Sequence, residues 1–231
     1  MPRMGESNSS RWGIRAWWRI PIMSPVPSRD VRASTLAGVH REPIFERRHR
    51  APLFVRDEEN TMLGLCLLYV GAVLFLNGLW LLGKIGDREI WVINVFAGGI
   101  TLLASLKLAF GAGADATSIK AAALTLLFTF TYFWVAINRY NGADGRGLGW
   151  FSLFVAITII PVGIDSITHA SSAWSVWFAL CWFGWAFLWL LFFVLLALQR
   201  PIVKLTGTVT VIAGILTGWL PGYLLLNGTL S

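Results

Sequence analysis

Six apolar stretches fill the chain from Met62 to its end, with only short connections between them. A hydrocarbon core of roughly 30 Å takes about 20 apolar helical residues to cross. The stretches at 62–83, 88–112, 119–140, 148–168, 174–198 and 202–227 each have that length. Backbone polar groups in lipid must be satisfied internally, so segments this long and this apolar are helices rather than buried strands. The expected fold is an all-α integral membrane protein with six transmembrane helices in one channel-sized domain, 62–231. Such a domain acts on what crosses the bilayer or on its neighbours within it.

Composition supports this class, with 56% hydrophobic and only 13% charged residues, and with thirteen Trp. A formal charge of +7 would suit nucleic acid if it lay in one stripe. Instead residues 1–61 carry eleven of the nineteen basic residues and seven of the twelve acids, and the core has no basic stripe with interleaved aromatics. Nucleic acid is therefore not an expected partner. Cys66 and Cys181 both fall inside spans, where they read as small apolar filler rather than a bridge.

Residues 1–61 are rich in Arg, Ser and Pro and hold no apolar run long enough for a span or a signal peptide. Arg11, Arg15 and Arg19 share a helical face near Trp12, Trp17 and Trp18, but Pro21, Pro25 and Pro27 stop any such helix. The segment is expected to be a disordered extension, or the product of an upstream start codon with Met62 as the working first residue. Loop charges point the same way. The connections after the first, third and fifth spans carry Lys84, Arg88, Arg139, Arg146, Arg200 and Lys204, while those after the second and fourth carry little beyond Lys120. The positive-inside bias makes the first set cytoplasmic and puts both ends of the core outside.

Three hairpins of similar size, 62–112, 119–169 and 174–227, follow one another and suggest a weak internal repeat. The odd-numbered spans carry the distinctive faces. Leu63, Leu67, Val70, Leu74 and Asn77 advance by four, three, four and three, which is one helical stripe. Phe130, Trp134 and Asn138 do likewise in the third span, as do Phe178, Trp182, Trp185 and Trp189 in the fifth. Tryptophan normally collects at the two membrane interfaces, yet Trp182, Trp185 and Trp189 lie near the middle of their span. Two readings of these stripes stand at this point. They pack helix against helix, or they line a narrow lumen whose indole N–H groups and aromatic faces accompany a small, flat, neutral solute and exclude hydrated ions.

The ionisable residues of the spans, Lys107 and Asp165, lie near helix ends, which disfavours an ion-coupled carrier, and no nucleophile–base pair, metal-ligand cluster or phosphate loop suggests an enzyme or a cofactor. His169 reads as a solvated loop residue. A non-transporting sensor or scaffold subunit is the remaining rival, and the short predicted cytoplasmic loops offer it no partner-binding domain.

The string Met62-Leu63-Gly64-Leu65-Cys66-Leu67-Leu68-Tyr69-Val70-Gly71 closely resembles the start of the AmiS/UreI family of urea and amide channels. Similar agreement runs through Phe128-Thr129-Phe130-Thr131-Tyr132 with Ala136-Ile137-Asn138, and through Trp150-Phe151-Ser152-Leu153-Phe154-Val155-Ala156-Ile157. It recurs in Trp182-Phe183-Gly184-Trp185 with Leu188-Trp189, and in Gly214-Ile215-Leu216-Thr217-Gly218-Trp219-Leu220-Pro221. The resemblance covers 62–231 and none of 1–61. It implies six helices per protomer, a pore in each, a hexameric ring in a bacterial cell membrane, and urea or a short-chain amide as solute for a cytoplasmic urease or amidase. It also implies a pore lined by Leu63, Leu67, Val70, Leu74, Asn77, Phe130, Trp134, Phe178, Trp182, Trp185, Leu188 and Trp189. Two departures follow. A glutamate of the gastric urea channel in this family falls at Ala213, and the long external loops of that channel shrink to 113–118 and 169–173. Strong acid gating is therefore not expected.

Overall fold

The computed structural model describes the backbone of residues 53–230 and side chains from Asn60 onward. The expectations for residues 1–52 lie outside the described residues. Among the described residues, six helices are long and apolar enough to cross a membrane. They are α1 (Leu53–Leu81), α2 (Ile90–Phe110), α3 (Ala116–Asn141), α4 (Arg146–Thr168), α5 (Ala173–Phe192), and a sixth span built from α6 (Val203–Ala213) and α7 (Leu220–Leu226). Helix α5 runs on through a π turn at Phe193–Ala197, and a second π turn at Gly214–Trp219 joins α6 to α7. Among the described residues there is no strand. The chain is a multi-pass membrane protein.

Most span limits fall within two or three residues of those expected, and local chemistry explains the ends. Asp115 and Ser118 form a reciprocal capping box at the start of α3, and Ser172 and Ser175 form another at the start of α5. Gly142, at φ 71°, closes α3 in the left-handed conformation that a side chain resists. Helix α1 differs most: it begins at Leu53, nine residues ahead of Met62. Residues 53–63 contain neither Pro nor Gly and include good helix formers, so nothing in the sequence breaks the helix there.

The helices form a closed ring in sequence order, each packed against its chain neighbours, with α1 completing the circle against α6 and α7. The closest pairs are α2 with α3, α4 with α5, and α1 with α6–α7. The expected hairpins α1–α2, α3–α4 and α5–α6 are the looser contacts. Small residues decide this pairing, because without a hydrophobic force between helices in lipid, association follows how closely backbones can approach. Gly71 of α1 lies so near the seam that a Cβ there would sit 2.1 Å from the Trp219 nitrogen. Gly78, Gly214, Gly218 and Gly222 make the same kind of contact along the seam. Gly98 of α2 receives the Phe133 ring, and Gly163 of α4 receives the Phe183 ring. The outer face carries Phe96, Leu103, Phe110 and Trp150, all more than half exposed, as a lipid-facing helix surface requires.

Candidate functional site

A cavity of about 30 Å³, room for roughly two or three waters by volume, opens inside the ring. From α1 it meets Leu74, Asn77 and Trp80; from α3, Phe128, Thr131, Tyr132 and Val135. Helix α4 contributes Leu148 and Ser152, and α5 contributes Trp185, Leu188, Trp189 and Phe192. These are the C-terminal halves of α1, α3 and α5 and the N-terminal half of α4. The cavity therefore lies toward the end of the bundle that carries Lys84, Arg139, Arg146 and Arg200.

That placement sorts the sequence-derived residues. Leu74, Asn77, Trp185, Leu188 and Trp189 border the cavity. Leu63, Leu67, Val70, Phe178 and Trp182 belong to the other half of α1 and α5, one to three turns away. Of these, Leu67 and Val70 are buried in the core, Phe178 and Trp182 pack against it, and Leu63 is 43% exposed. Phe130 and Trp134 lie at the right height but on the other side of α3. Phe130 is 50% exposed, and the Trp134 ring sits over Gly147 and 5.5 Å from the Phe151 ring, between α3 and α4. The cavity-facing side of α3 carries Phe128 and Tyr132 instead, two residues away in each case and so rotated by roughly 200°. The fourth span was expected, but none of its residues was expected at the cavity, where Leu148 and Ser152 lie. The alternation of Leu148 with Ser152 at a spacing of four was its available signal.

The aromatic wall is held edge to face. The Phe128 ring stands 5.0 Å from Trp185 at 84° and 4.7 Å from Trp189 at 76°, and Trp182 meets Trp185 at 5.1 Å and 89°. These are favoured T-shaped contacts between a ring edge and a ring face. Two of the indole N–H groups, those of Trp185 and Trp189, are already paired with threonines rather than left free for a solute. Trp185 Nε1 donates to Thr217 Oγ1 at 2.8 Å and Trp189 Nε1 donates to Thr131 Oγ1 at 3.3 Å. Both threonines in turn donate to carbonyls one turn back on their own helices, Ala213 and Leu127. A buried N–H without a partner costs free energy, so Trp185 and Trp189 spend their polar atoms on threonines, Thr217 away from the cavity and Thr131 at its wall. Thr217 sits within the π turn of the sixth span, a kind of irregularity that often marks a functional position.

At the cavity end nearer the basic loops, Trp80 Nε1 donates to Asp87 Oδ1 at 2.6 Å. The Arg139 guanidinium lies over the Trp80 ring, 5.2 Å from its centroid, and 4.0 Å from the same carboxylate. Polar groups therefore concentrate at this mouth, while Leu74, Val135, Leu188 and Phe192 leave the interior apolar.

A membrane ring of six helices around an aromatic-walled cavity is the architecture of a transport or channel protein. The AmiS/UreI family transporter model matches residues 62–229, and the chain belongs to that family. It is 42% identical to an amidate substrates transporter protein of Mycolicibacterium smegmatis over 71% of this chain and 76% of the relative. It is 37% identical to the acid-activated urea channel of Helicobacter pylori strain 26695, over 71% of this chain and 97% of the relative. The cryo-electron microscopy structure of the Helicobacter pylori urea channel in its closed state superposes with a TM-score of 0.65 at 37% identity. That match covers 73% of this chain and 100% of the other.

Proposed function

We propose that the protein is a passive channel for urea or short aliphatic amides, driven only by the solute gradient. The observation that carries this reading is the carbon-faced cavity between α1, α3 and α5, in a chain whose relatives are a urea channel and an amidate transporter. Leu74 and Leu188 narrow the passage, Phe128, Trp185 and Trp189 shape it for a flat solute, and Asn77 and Tyr132 supply polar contacts. Phe128 and Tyr132 take the roles that the sequence pattern gave to Phe130 and Trp134. Leu63, Leu67, Val70, Phe178 and Trp182 form the continuation toward the opposite face. A desolvated ion in so apolar a passage has nothing to replace its hydration shell, whereas a neutral amide gives up far less.

The basic loops face the cytoplasm of a bacterial cell, several copies assemble in its membrane, and the solute feeds a urease or amidase inside. Purified protein in vesicles tests the transport reading by stopped-flow light scattering with urea and acetamide. Both solutes should equilibrate faster than across protein-free lipid, without a sodium or proton gradient. Leu74→Ala and Trp189→Ala should change flux or the urea-to-acetamide ratio in protein that still assembles. Vesicles as tight as blank lipid would overturn the proposal.

A further inference from the structure

Every indole N–H along the cavity is already spent, Trp80 on Asp87, Trp185 on Thr217 and Trp189 on Thr131. The Ser152 and Thr131 hydroxyls donate to the carbonyls of Leu148 and Leu127. A carboxamide has two N–H donors and two oxygen lone pairs, and Asn77 uses only half of its set. Its Nδ2 donates to Asn94 Oδ1 at 3.1 Å and its Oδ1 accepts from Asn94 Nδ2 at 2.7 Å. Among the described residues nothing takes the other N–H and lone pair of Asn77, on a side chain that borders the cavity.

Asn94, on α2, does not touch the cavity and is wholly buried. Its second N–H donates to the Ile90 carbonyl at 2.9 Å. That carbonyl only accepts, so Asn94 cannot turn its amide over without setting oxygen against oxygen. The Ile90 carbonyl thus fixes Asn94, and Asn94 fixes which atoms of Asn77 are spent and which are offered. Two buried amides joined in a reciprocal pair also hold each other against rotation, since either one turning alone strands a polar group.

We infer that Asn94 is a positioning residue for selectivity: it holds Asn77 so that the channel meets each solute with a fixed amide donor and acceptor. The solutes favoured are those with a strong carbonyl acceptor beside an N–H. The inference rests on the transport reading and deepens it by naming what selects within the class of small planar solutes.

The experiment compares urea with thiourea, which has a similar planar outline but a sulfur that accepts hydrogen bonds poorly. Purified full-length protein in vesicles is measured as wild type, Asn94→Leu, Asn77→Leu and the double variant. The double variant replaces both polar partners by apolar groups, an exchange a buried site tolerates well. The urea-to-thiourea permeability ratio should fall about two- to tenfold in Asn94→Leu, the worth of one ordinary hydrogen bond. Asn77→Leu and the double variant should fall by the same factor, because Asn77 selects only while Asn94 aims it. A merely structural Asn94 would lower both fluxes together and leave the ratio at its wild-type value. That outcome, or a ratio lost in Asn77→Leu but kept in Asn94→Leu, overturns the inference. If Asn94→Leu does not assemble, Asn94→Ala reads the same ratio, since a small methyl side chain strains nothing and has no amide to hold Asn77. Wild-type vesicles that conduct neither solute would instead overturn the transport reading itself.

Discussion

Substituting Gly71 by Ala is the sharpest test of how the seam between α1 and the sixth span sets the width of the cavity. A Cβ at residue 71 would lie 2.1 Å from the Trp219 nitrogen, 2.7 Å from the Trp219 Cα and 2.8 Å from the Gly218 carbonyl carbon. Ordinary contact begins near 3.4 Å, so the two backbones must part by about 1.3 Å. No flexible side chain is available to yield, because every contact is main chain. Overpacking of this kind costs typically 1–3 kcal/mol, against which an alanine in a helix regains about 0.5–1 kcal/mol over glycine. A net loss of up to about 2.5 kcal/mol is expected, toward the upper end because every contact is main chain. Leu74, Asn77 and Trp80 ride on the same helix within three turns, so the displacement reaches the cavity. Gly99→Ala is the control, because nothing lies within 4 Å of its added carbon. Thermal unfolding in detergent should show Gly71→Ala melting below wild type and Gly99→Ala at or slightly above it. Vesicle flux should change in solute preference for the first and stay the same for the second. If Gly71→Ala melts and conducts as wild type does, the glycine seam does not set the cavity width, and the packing argument fails.

Tyr132 is buried with a hydroxyl that has no hydrogen-bond partner among the described residues. Tyr132→Phe should therefore stabilise the protein by about 1–3 kcal/mol and raise its melting temperature; a lower melting temperature would refute this. The Asp115 carboxyl is held below its usual value of 3.8, chiefly by the Ser118 backbone N–H. A depressed carboxylate stabilises the α3 cap above the ordinary value and loses that contribution as pH falls through the depressed one. Acid should thus loosen the α3 start only below about pH 4, and urea flux measured at pH 7 and pH 5 should agree. A large rise at pH 5 would show that acid opens the channel.

The six spans were legible because hydrophobic length is a one-dimensional property that needs no partner. The α1 stripe was legible for a related reason, since its apolar and amide residues repeat along a single face. Helix α3 was not, because Phe128 with Tyr132 and Phe130 with Trp134 both step by four. Aromatics surround the helix, and periodicity alone cannot say which pair turns inward. What decides it is the fit of Phe128 against Trp185 and Trp189 on α5, which no local pattern encodes. Helix pairing escaped for the same cause. Short connections favour α1–α2, yet the glycines of α1 find their match in Gly214, Gly218 and Gly222, far along the chain. The indole partners Thr131 and Thr217 carry no signal in the sequence, because only the fold brings them within reach of the Trp189 and Trp185 N–H groups.

The glycine-lined closure between the first and last spans also governs how the protein is born. Helix α1 leaves the ribosome about 120 residues before α6 begins, which at 5–20 residues per second is on the order of ten seconds of synthesis. Throughout that interval its close-packing face has only lipid or a stranger to lie against. Assembly therefore ends with the same step that encircles the lumen, and a chain truncated before its last span has no inside to offer.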